Sequence, residues 1–150
     1  MKGTIVMLVV VGALAMLAGG CGGHSKGPPL TKARYVQQVA KIRRGIVVSL
    51  GGLGSLSGAP AAATALANVQ DDMQAAEKQL KDINPPASIA TEHDKLTTGV
   101  GDFADELDPV IDKLKQGNLG ALSQIPNLKG FTEIQAALEA ISQAGYPISA

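Results

Sequence analysis

Apolar residues recur at alternating spacings of four and three along the middle of the chain. This 3.5-residue period predicts an amphipathic helix over about residues 60–83, because a helix brings such positions onto one stripe. The stripe consists of Ala62, Leu66, Val69, Met73, Ala76, Leu80 and Ile83. Pro60 suits the first turn of this helix. Asn84 stands before two prolines and ends it, because a residue before proline avoids the helical region.

A second long helix is predicted directly after the proline pair, beginning at Pro86 or Ser88 and ending at Gly117. Its stripe repeats the same alternation through Ile89, His93, Leu96, Val100, Phe103, Leu107, Val110 and Leu114. A connection this short predicts an antiparallel hairpin with the preceding helix. Pro109 lacks the backbone donor that Asp105 needs, and a kink is therefore expected there, or a restart capped by Asp108.

Two further helices flank this hairpin in the sequence. The first begins after Thr31, a suitable N-cap, and reaches about Leu50 with Tyr35, Val39, Ile42, Ile46 and Leu50 on one stripe. The last begins at about Lys129, carries Phe131, Ile134, Leu138 and Ile141 on its stripe, and stops at Gly145. A short helical turn is expected over 119–128. No useful length alternates with period two, and the predicted fold is all-α: an antiparallel four-helix bundle over residues 30–150 with a kinked third helix.

The beginning of the chain differs from this pattern. Lys2 is followed by an uncharged apolar run over 5–17, which is 13 residues long, and then by small residues up to the only cysteine, Cys21. A basic start, an apolar centre and small residues are the layout of a secretory signal. A membrane-spanning helix needs about 20 apolar residues, which disfavours a retained transmembrane anchor. An ordinary signal peptide with an unrelated cysteine is the other alternative.

The residues Leu17-Ala18-Gly19-Gly20-Cys21 resemble the lipobox of bacterial lipoproteins. The resemblance implies that residues 1–20 are a lipoprotein signal peptide, cut before Cys21. That cysteine would then carry a diacylglycerol, with palmitate among its acyl chains. Residues 21–29 would form the lipidated cysteine and a flexible linker, and the domain would be anchored by lipid to the extracytoplasmic face of the cell membrane.

The domain itself is similar to small helical lipoproteins of uncharacterised function from high-GC Gram-positive bacteria. The residues that carry this likeness are the Leu30-Thr31-Lys32 start, Tyr35, Pro85-Pro86, His93, Leu96, Phe103-Ala104, Leu107 and the ending Gly145-Tyr146. The likeness implies a helical fold and an envelope location, and it brings no activity with it.

Charge is balanced in total but uneven along the chain. Thirteen basic and thirteen acidic residues cancel, yet six bases from Lys26 to Arg44 precede the first acid, Asp71. The simpler interpretation is a basic first helix lying against acidic later helices. The alternative is that this helix faces anionic lipid headgroups. Nucleic-acid binding is disfavoured by the balanced charge, the expected location and the scarcity of aromatic residues.

Few residues suit catalysis or metal binding. His93 is one of two histidines, while zinc needs three or four protein ligands, and a structural hydrogen bond is therefore the favoured role. An acidic cluster, formed by Asp102, Asp105, Glu106, Asp108 and Asp112, lacks a calcium-loop pattern and is expected to be solvated, with weak divalent-cation binding as the alternative. No metal, no cofactor and no enzymatic activity are expected.

The sequence is compatible with two functions. The first is a non-enzymatic, lipid-anchored bundle that engages another cell-envelope component, such as a protein partner. The second is a small-molecule or ion binder that uses a cavity between helices. The candidate lining residues are Leu66, Val69, Met73, His93, Val100 and Phe103. The uncharged stretch 45–70 is also considered as a second membrane segment, although its alanines, glycines and Pro60 make it weakly apolar.

Overall fold

The computed structural model describes residues 27–52 and 58–148, and all of its regular structure is helical. Five α-helices are present: α1 (Lys32–Gly51), α2 (Ala59–Asp82), α3 (Ala90–Glu106), α4 (Asp108–Lys115) and α5 (Lys129–Gln143). Two 3-10 helices, Ala87–Ile89 and Leu119–Asn127, connect them. The all-α prediction is confirmed. The predicted signal peptide and Cys21 lie outside the described residues, and the domain boundaries stay predictions.

The two central stripes form the core as the sequence predicted. Every stripe position of α2, and every position of the stripe that continues from Ile89 through α3 and α4, is buried. Thr31 caps α1 by accepting a hydrogen bond from the backbone N–H of Arg34, and Pro60 lies in the first turn of α2. The capping residues and the apolar periodicity of the sequence therefore both agree with the helices in the structure.

The predicted third helix is interrupted beside Pro109. Helix α3 ends at Glu106 and α4 begins at Asp108, while Leu107 between them donates to the carbonyl of Ala104 over 3.3 Å. The restart is not capped by Asp108, because Leu107 holds the cap position and no side chain caps α4. The Asp108 carboxylate instead accepts from the amide of Gln70 over 2.7 Å, which ties the break to α2.

Helix contacts place α2 and α3 at the centre of the fold. Helix α2 packs on α1, α3 and α4, while α3 also packs on α5. The 3-10 helix Leu119–Asn127 contacts α4 and α5. The antiparallel direction of the bundle stays a prediction.

Two glycines allow α3 and α5 to approach closely. A Cβ placed on Gly130 of α5 would lie 2.3 Å from the backbone nitrogen of Phe103, and one on Gly99 of α3 would lie 3.2 Å from the backbone nitrogen of Ile134. The backbone N–H of Gly130 also donates to the carboxylate of Glu106 over 2.9 Å. Any side chain at position 130 would push the two helices apart.

The end of the predicted linker is attached to the domain. The backbone N–H of Leu30 donates to the carbonyl of Asn84 over 2.9 Å, and the Asn84 amide donates to the carbonyl of Gly27. Residues 27–30 are thus held at the connection between α2 and α3, whereas the sequence predicted a flexible spacer through residue 29.

No helix in the described ranges combines the length and the apolar character that crossing a membrane would demand. For the uncharged stretch 45–70, α1 and α2 each fall short of that requirement.

Candidate apolar binding groove

The first and last helices are only half-buried along part of their predicted stripes. In the N-terminal half of α1, Tyr35 and Val39 are buried. Farther along the same stripe, Ile42, Ile46 and Leu50 are half-buried. On the predicted stripe of α5, Ile141 is buried and the other three residues are half-buried. These half-buried positions face one another across a depression, which we call the apolar groove.

The apolar groove has a volume of about 190 Å³ and lies between α1 and α5. Its floor is formed by buried side chains, namely Val39, Met73, Leu80, Leu96, Val100 and Phe103. Its walls are Ile42, Ile46, Val47 and Leu50 from α1 with Phe131, Ile134 and Leu138 from α5. The rings of Phe103 and Phe131 meet at 5.8 Å between centroids. Apolar carbon therefore covers both the floor and the walls.

Arg43 and Gln135 are the two polar residues that line the groove. The guanidinium of half-buried Arg43 donates to the backbone carbonyl of Ile148 over 2.7 Å, which fixes its position. A guanidinium carries five N–H groups, so this one bond leaves other donors of Arg43 for a ligand. Among the described residues, the lining contains no hydroxyl, thiol, imidazole, carboxylate or amine side chain. Chemically, this arrangement can hold an apolar group and attract an anion, and it offers no nucleophile or general base.

The candidate lining residues predicted from the sequence divide into two groups. Met73, Val100 and Phe103 line the groove, whereas Leu66, Val69 and His93 are buried elsewhere in the core. The prediction missed the walls, because a stripe shows which face of a helix is apolar but not whether another helix covers it. The signal that pointed to them was present in the sequence, as the apolar stripes of the first and last helices.

His93 is part of a buried hydrogen-bonded pair. Its Nε2 lies 3.0 Å from the carbonyl of Leu80, and its Nδ1 lies 3.2 Å from the hydroxyl of Tyr35. A carbonyl can only accept, so Nε2 carries the proton, and Nδ1 then accepts from Tyr35. Burial, and to a smaller extent Tyr146, raises the pKa of Tyr35. The structural hydrogen bond favoured from the sequence is present, with a backbone carbonyl and a tyrosine as partners.

The acidic cluster does not converge on one point. Its members contact separate partners: Asp102 pairs with Lys129, Glu106 with Gly130, Asp108 with Gln70 and Asp112 with Lys115. Hydrogen bonds to Glu133 and then to Asp102 raise the pKa of exposed Lys129. Across ranges 27–52 and 58–148, no group of three or more His, Cys, Asp or Glu residues is placed to hold a metal ion.

A wider depression of about 560 Å³ lies between α3 and α5. Its lining mixes alanines with polar residues, including Thr91, Asp94, Lys95 and Glu133. Lys95 is paired with Glu92 and Glu133 with Lys129, so these charges are directed to neighbours on their own helices. The apolar groove is therefore the better candidate site.

The basic side chains of α1 are not paired with the acidic helices. In the described ranges, ion pairs join acids to Lys81, Lys95, Lys115 and Lys129, and none involves α1. Helix α1 does pack on α2, which carries Asp71, Asp72, Glu77 and Asp82. The basic helix therefore lies against an acidic one, as the simpler interpretation expects, but without an ion pair between them among the described residues.

Comparisons of the chain with known protein families, with curated proteins and with solved structures give no match.

Proposed function

We propose that this chain is a non-enzymatic, lipid-anchored protein of the extracytoplasmic membrane face that holds one apolar ligand in the apolar groove. The observation that carries the proposal is the groove itself, whose lining is apolar except for Arg43 and Gln135. Among the described residues, no buried side-chain nitrogen or oxygen lacks a hydrogen-bond partner. The floor of the groove therefore presents no unpaired polar atom to a ligand, and it favours an apolar ligand group that forms no hydrogen bonds.

Size and charge narrow the class of ligand. The groove, at about 190 Å³, is smaller than the several hundred Å³ typical of sites that enclose a drug-sized molecule. It is comparable with an apolar cavity of about 150 Å³ that accepts benzene. One hydrocarbon chain segment fits this space, and Arg43 would pair with an anionic group at its end. A fatty acid or another single-chain anionic amphiphile is the ligand class we propose.

The test is binding of a long-chain fatty acid and of the alcohol of the same length to the full chain. We expect the acid to raise the melting temperature more than the alcohol does, because a ligand that binds only the folded state stabilises it. Arg43→Gln should remove the difference between the two ligands. Ile134→Trp, which fills the groove, should abolish both shifts, while Leu119→Trp on an exposed site should leave them intact.

Unchanged melting temperatures with both ligands, or full binding by the Ile134→Trp variant, would overturn the proposal for the groove. Mass spectrometry of apolar extracts from the protein purified out of membranes supplies an independent measurement. We expect a single-chain amphiphile in stoichiometric amount from the parent protein and its loss from Ile134→Trp.

The membrane location is a separate part of the proposal and is supported by the lipobox-like residues before Cys21. Two acyl chains on one cysteine would satisfy the requirement for two anchoring signals. We expect mass spectrometry of the native N-terminus to show cleavage before Cys21 and a diacylglyceryl adduct. Cys21→Ser should move the protein out of the membrane fraction. An unmodified thiol or an uncut leader would contradict this location.

The antiparallel four-helix bundle is the architecture that we propose for the domain. It is supported by the short link between α2 and the 3-10 helix at Ala87–Ile89, and by packing of α2 against α3. Spin labels at exposed sites at the two ends of these helices would measure the direction of packing.

An envelope protein partner is the second candidate function. It is favoured by the exposure of Val47, which is 50% accessible at the wall of the groove, and of Val48, which is 76% accessible. A photo-crosslinking residue at position 47 should then capture one protein in membranes, and the same residue at position 119 should not. Equal labelling from both positions would remove this candidate.

A further inference from the structure

One face of α1 is exposed from end to end. Arg34, Gln37, Lys41, Arg44 and Val48 follow one another at spacings of three and four, and each side chain is exposed. Such spacing puts them on a single stripe of the helix, opposite Tyr35 and the core. The stripe is about 21 Å long, at about 1.5 Å per residue. We call this set the basic stripe.

No ion pair among the described residues involves a base of the basic stripe. Helix α1 contains five bases and no acid, and none of these bases belongs to an ion pair in the described ranges. Lys32 lies over the ring of Tyr146, and Arg43 bonds to a backbone carbonyl. Arg34, Lys41 and Arg44 present their charge to solvent. The carboxylate of Asp72, on the adjacent helix α2, accepts a hydrogen bond from the hydroxyl of Ser49 over 2.5 Å.

The stripe combines positive charge with an apolar end. Val48 is the most exposed large hydrophobic residue in the described part of the chain, at 76%, and it stands one turn beyond Arg44. A helix with bases along its exposed face and an apolar residue beside them suits the surface of an anionic bilayer, where bases meet phosphates and the apolar residue enters the acyl boundary. An acidic protein surface is the competing occupant of the stripe, and the experiment below distinguishes it from a bilayer.

The position of the N-terminal segment agrees with this orientation. Gly27 and Leu30 are held beside Asn84 at the end of the domain where α1 begins. Five residues lie between Cys21 and Gly27, and the six steps from Cα to Cα can span about 20 Å at most. An anchor on Cys21 would therefore keep the first turn of α1 near the membrane.

We propose that the basic stripe of α1 docks on a bilayer that contains anionic phospholipid, with Arg34, Lys41 and Arg44 at the headgroups and Val48 in the interface. The lipid anchor of the proposed function brings the stripe near the bilayer, but the docking contact is made by these side chains. At about 1 kcal/mol for each base, the three bases together change the equilibrium constant for docking about a hundredfold.

The experiment uses the absence of tryptophan from the chain. Val48→Trp introduces one reporter into the full-length protein, purified from membranes and reconstituted into vesicles. In phosphatidylcholine vesicles with about one third phosphatidylglycerol, we expect a blue-shifted emission and quenching by brominated acyl chains. In pure phosphatidylcholine both effects should be absent, and about 0.5 M NaCl should reverse them because it screens the charges.

Matched variants separate the stripe from total charge. Arg34→Gln, Lys41→Gln and Arg44→Gln together should remove the quenching. Lys78→Gln, Lys95→Gln and Lys115→Gln remove the same charge from other surfaces and should leave it unchanged. Leu119→Trp reports on a different exposed site and should remain unquenched. Inorganic phosphate at millimolar concentration should not shift the V48W emission, because the proposal requires a surface and not a single anion.

The proposal is overturned if V48W emission is the same in neutral and anionic vesicles, or if both triple variants lose quenching equally. A shift caused by a soluble acidic polypeptide but not by anionic vesicles would also overturn it and identify a protein surface as the partner. The comparison between vesicle compositions is independent of the anchor, which acts equally in both, so failure of the docking is distinguishable from failure of lipidation.

Discussion

At the scale of single residues, the buried pair of Tyr35 and His93 shows how this core accommodates polar groups. Both are essentially inaccessible to solvent. Each nitrogen of the imidazole has a hydrogen-bond partner, and the Tyr35 ring also packs edge-on against Tyr146. The pair thus joins α1, α2, α3 and the C-terminal segment. A histidine at a stripe position is here a fixed structural element.

Tyr35→Phe tests this pair. The variant removes the hydroxyl that bonds to Nδ1 of His93 in the core, and we expect a loss of about 1 kcal/mol in unfolding free energy at pH 7. Urea denaturation measures this loss. Tyr146→Phe removes a hydroxyl that bonds to exposed Ser88 and serves as the control with a smaller effect. Equal losses in the two variants would contradict the structural role of the pair.

The raised pKa of Tyr35 also predicts a dependence on pH. Folding protects the neutral phenol, so its stabilising contribution is complete below the unfolded pKa of about 10 and is lost as pH rises towards the native pKa. Between these values the parent protein should lose up to about 1.4 kcal/mol per pH unit from this group. Tyr35→Phe should lack this component when the two are compared from pH 9 to 11. Parallel curves would show that Tyr35 ionises normally in the folded protein.

At the scale of elements, the contact between α3 and α5 depends on Gly130. A methyl group there would meet backbone atoms of Phe103, which cannot rotate away. We expect Gly130→Ala to lower the unfolding free energy by about 3 kcal/mol, at the upper end for overpacking.

Gly101→Ala is the matched control in α3, because its nearest contact would be the flexible end of the Glu77 side chain. Alanine is a better helix former than glycine, and the control should gain up to about 1 kcal/mol. Thermal unfolding of the two variants distinguishes them by the sign of the change. Similar shifts in both would show that the helices are not in close contact at residue 130.

The start of α5 is capped from another helix. Its own N-cap residue, Leu128, provides no side-chain cap, and the carboxylate of Glu106 takes its place by accepting from Gly130. The negative charge of Glu106 also interacts favourably with the positive N-terminal end of the α5 dipole. We expect Glu106→Ala to cost about 1 kcal/mol, and Glu106→Gln to recover part of it. Glu139→Ala, far from this end, should change the unfolding free energy by less than half as much.

The sequence predicted the elements better than their contacts. Periodicity identified both central stripes, and Thr31, Pro60, Pro109 and Gly145 marked ends or breaks that are present. The cap of α5 and its close approach to α3 could not be predicted, because Glu106 and Gly130 are far apart in the sequence and no local pattern joins them. Half of the predicted lining residues reach the groove, since periodicity does not measure the distance between two facing helices.

At the scale of the whole molecule, the fold has a well-packed centre and a more open side. The floor of the apolar groove is buried, whereas Ile42, Ile46 and Leu50 in the second half of α1 are only half-buried. Parts of a fold with few buried contacts open at lower free energy than the core. The groove therefore divides the domain into regions of different stability.

This difference is measurable by amide hydrogen exchange. We expect amides in 42–51 to exchange faster than those in the centre of α2, whose stripe is buried throughout. A bound fatty acid should slow exchange in 42–51 and leave the centre of α2 unchanged. Equal protection of the two segments without ligand would show that the groove side is as tightly packed as the core.

The attachment of residues 27–30 to Asn84 has a mechanical consequence. Tension on the polypeptide before Gly27 is delivered first to the loop that joins the two best-buried helices, and only afterwards to the opening turn of α1. The hydrogen bonds to Asn84 would have to break before the pulling force reaches α1. If the domain is anchored through Cys21 as proposed, drag on it would therefore leave the helix that walls the groove in place.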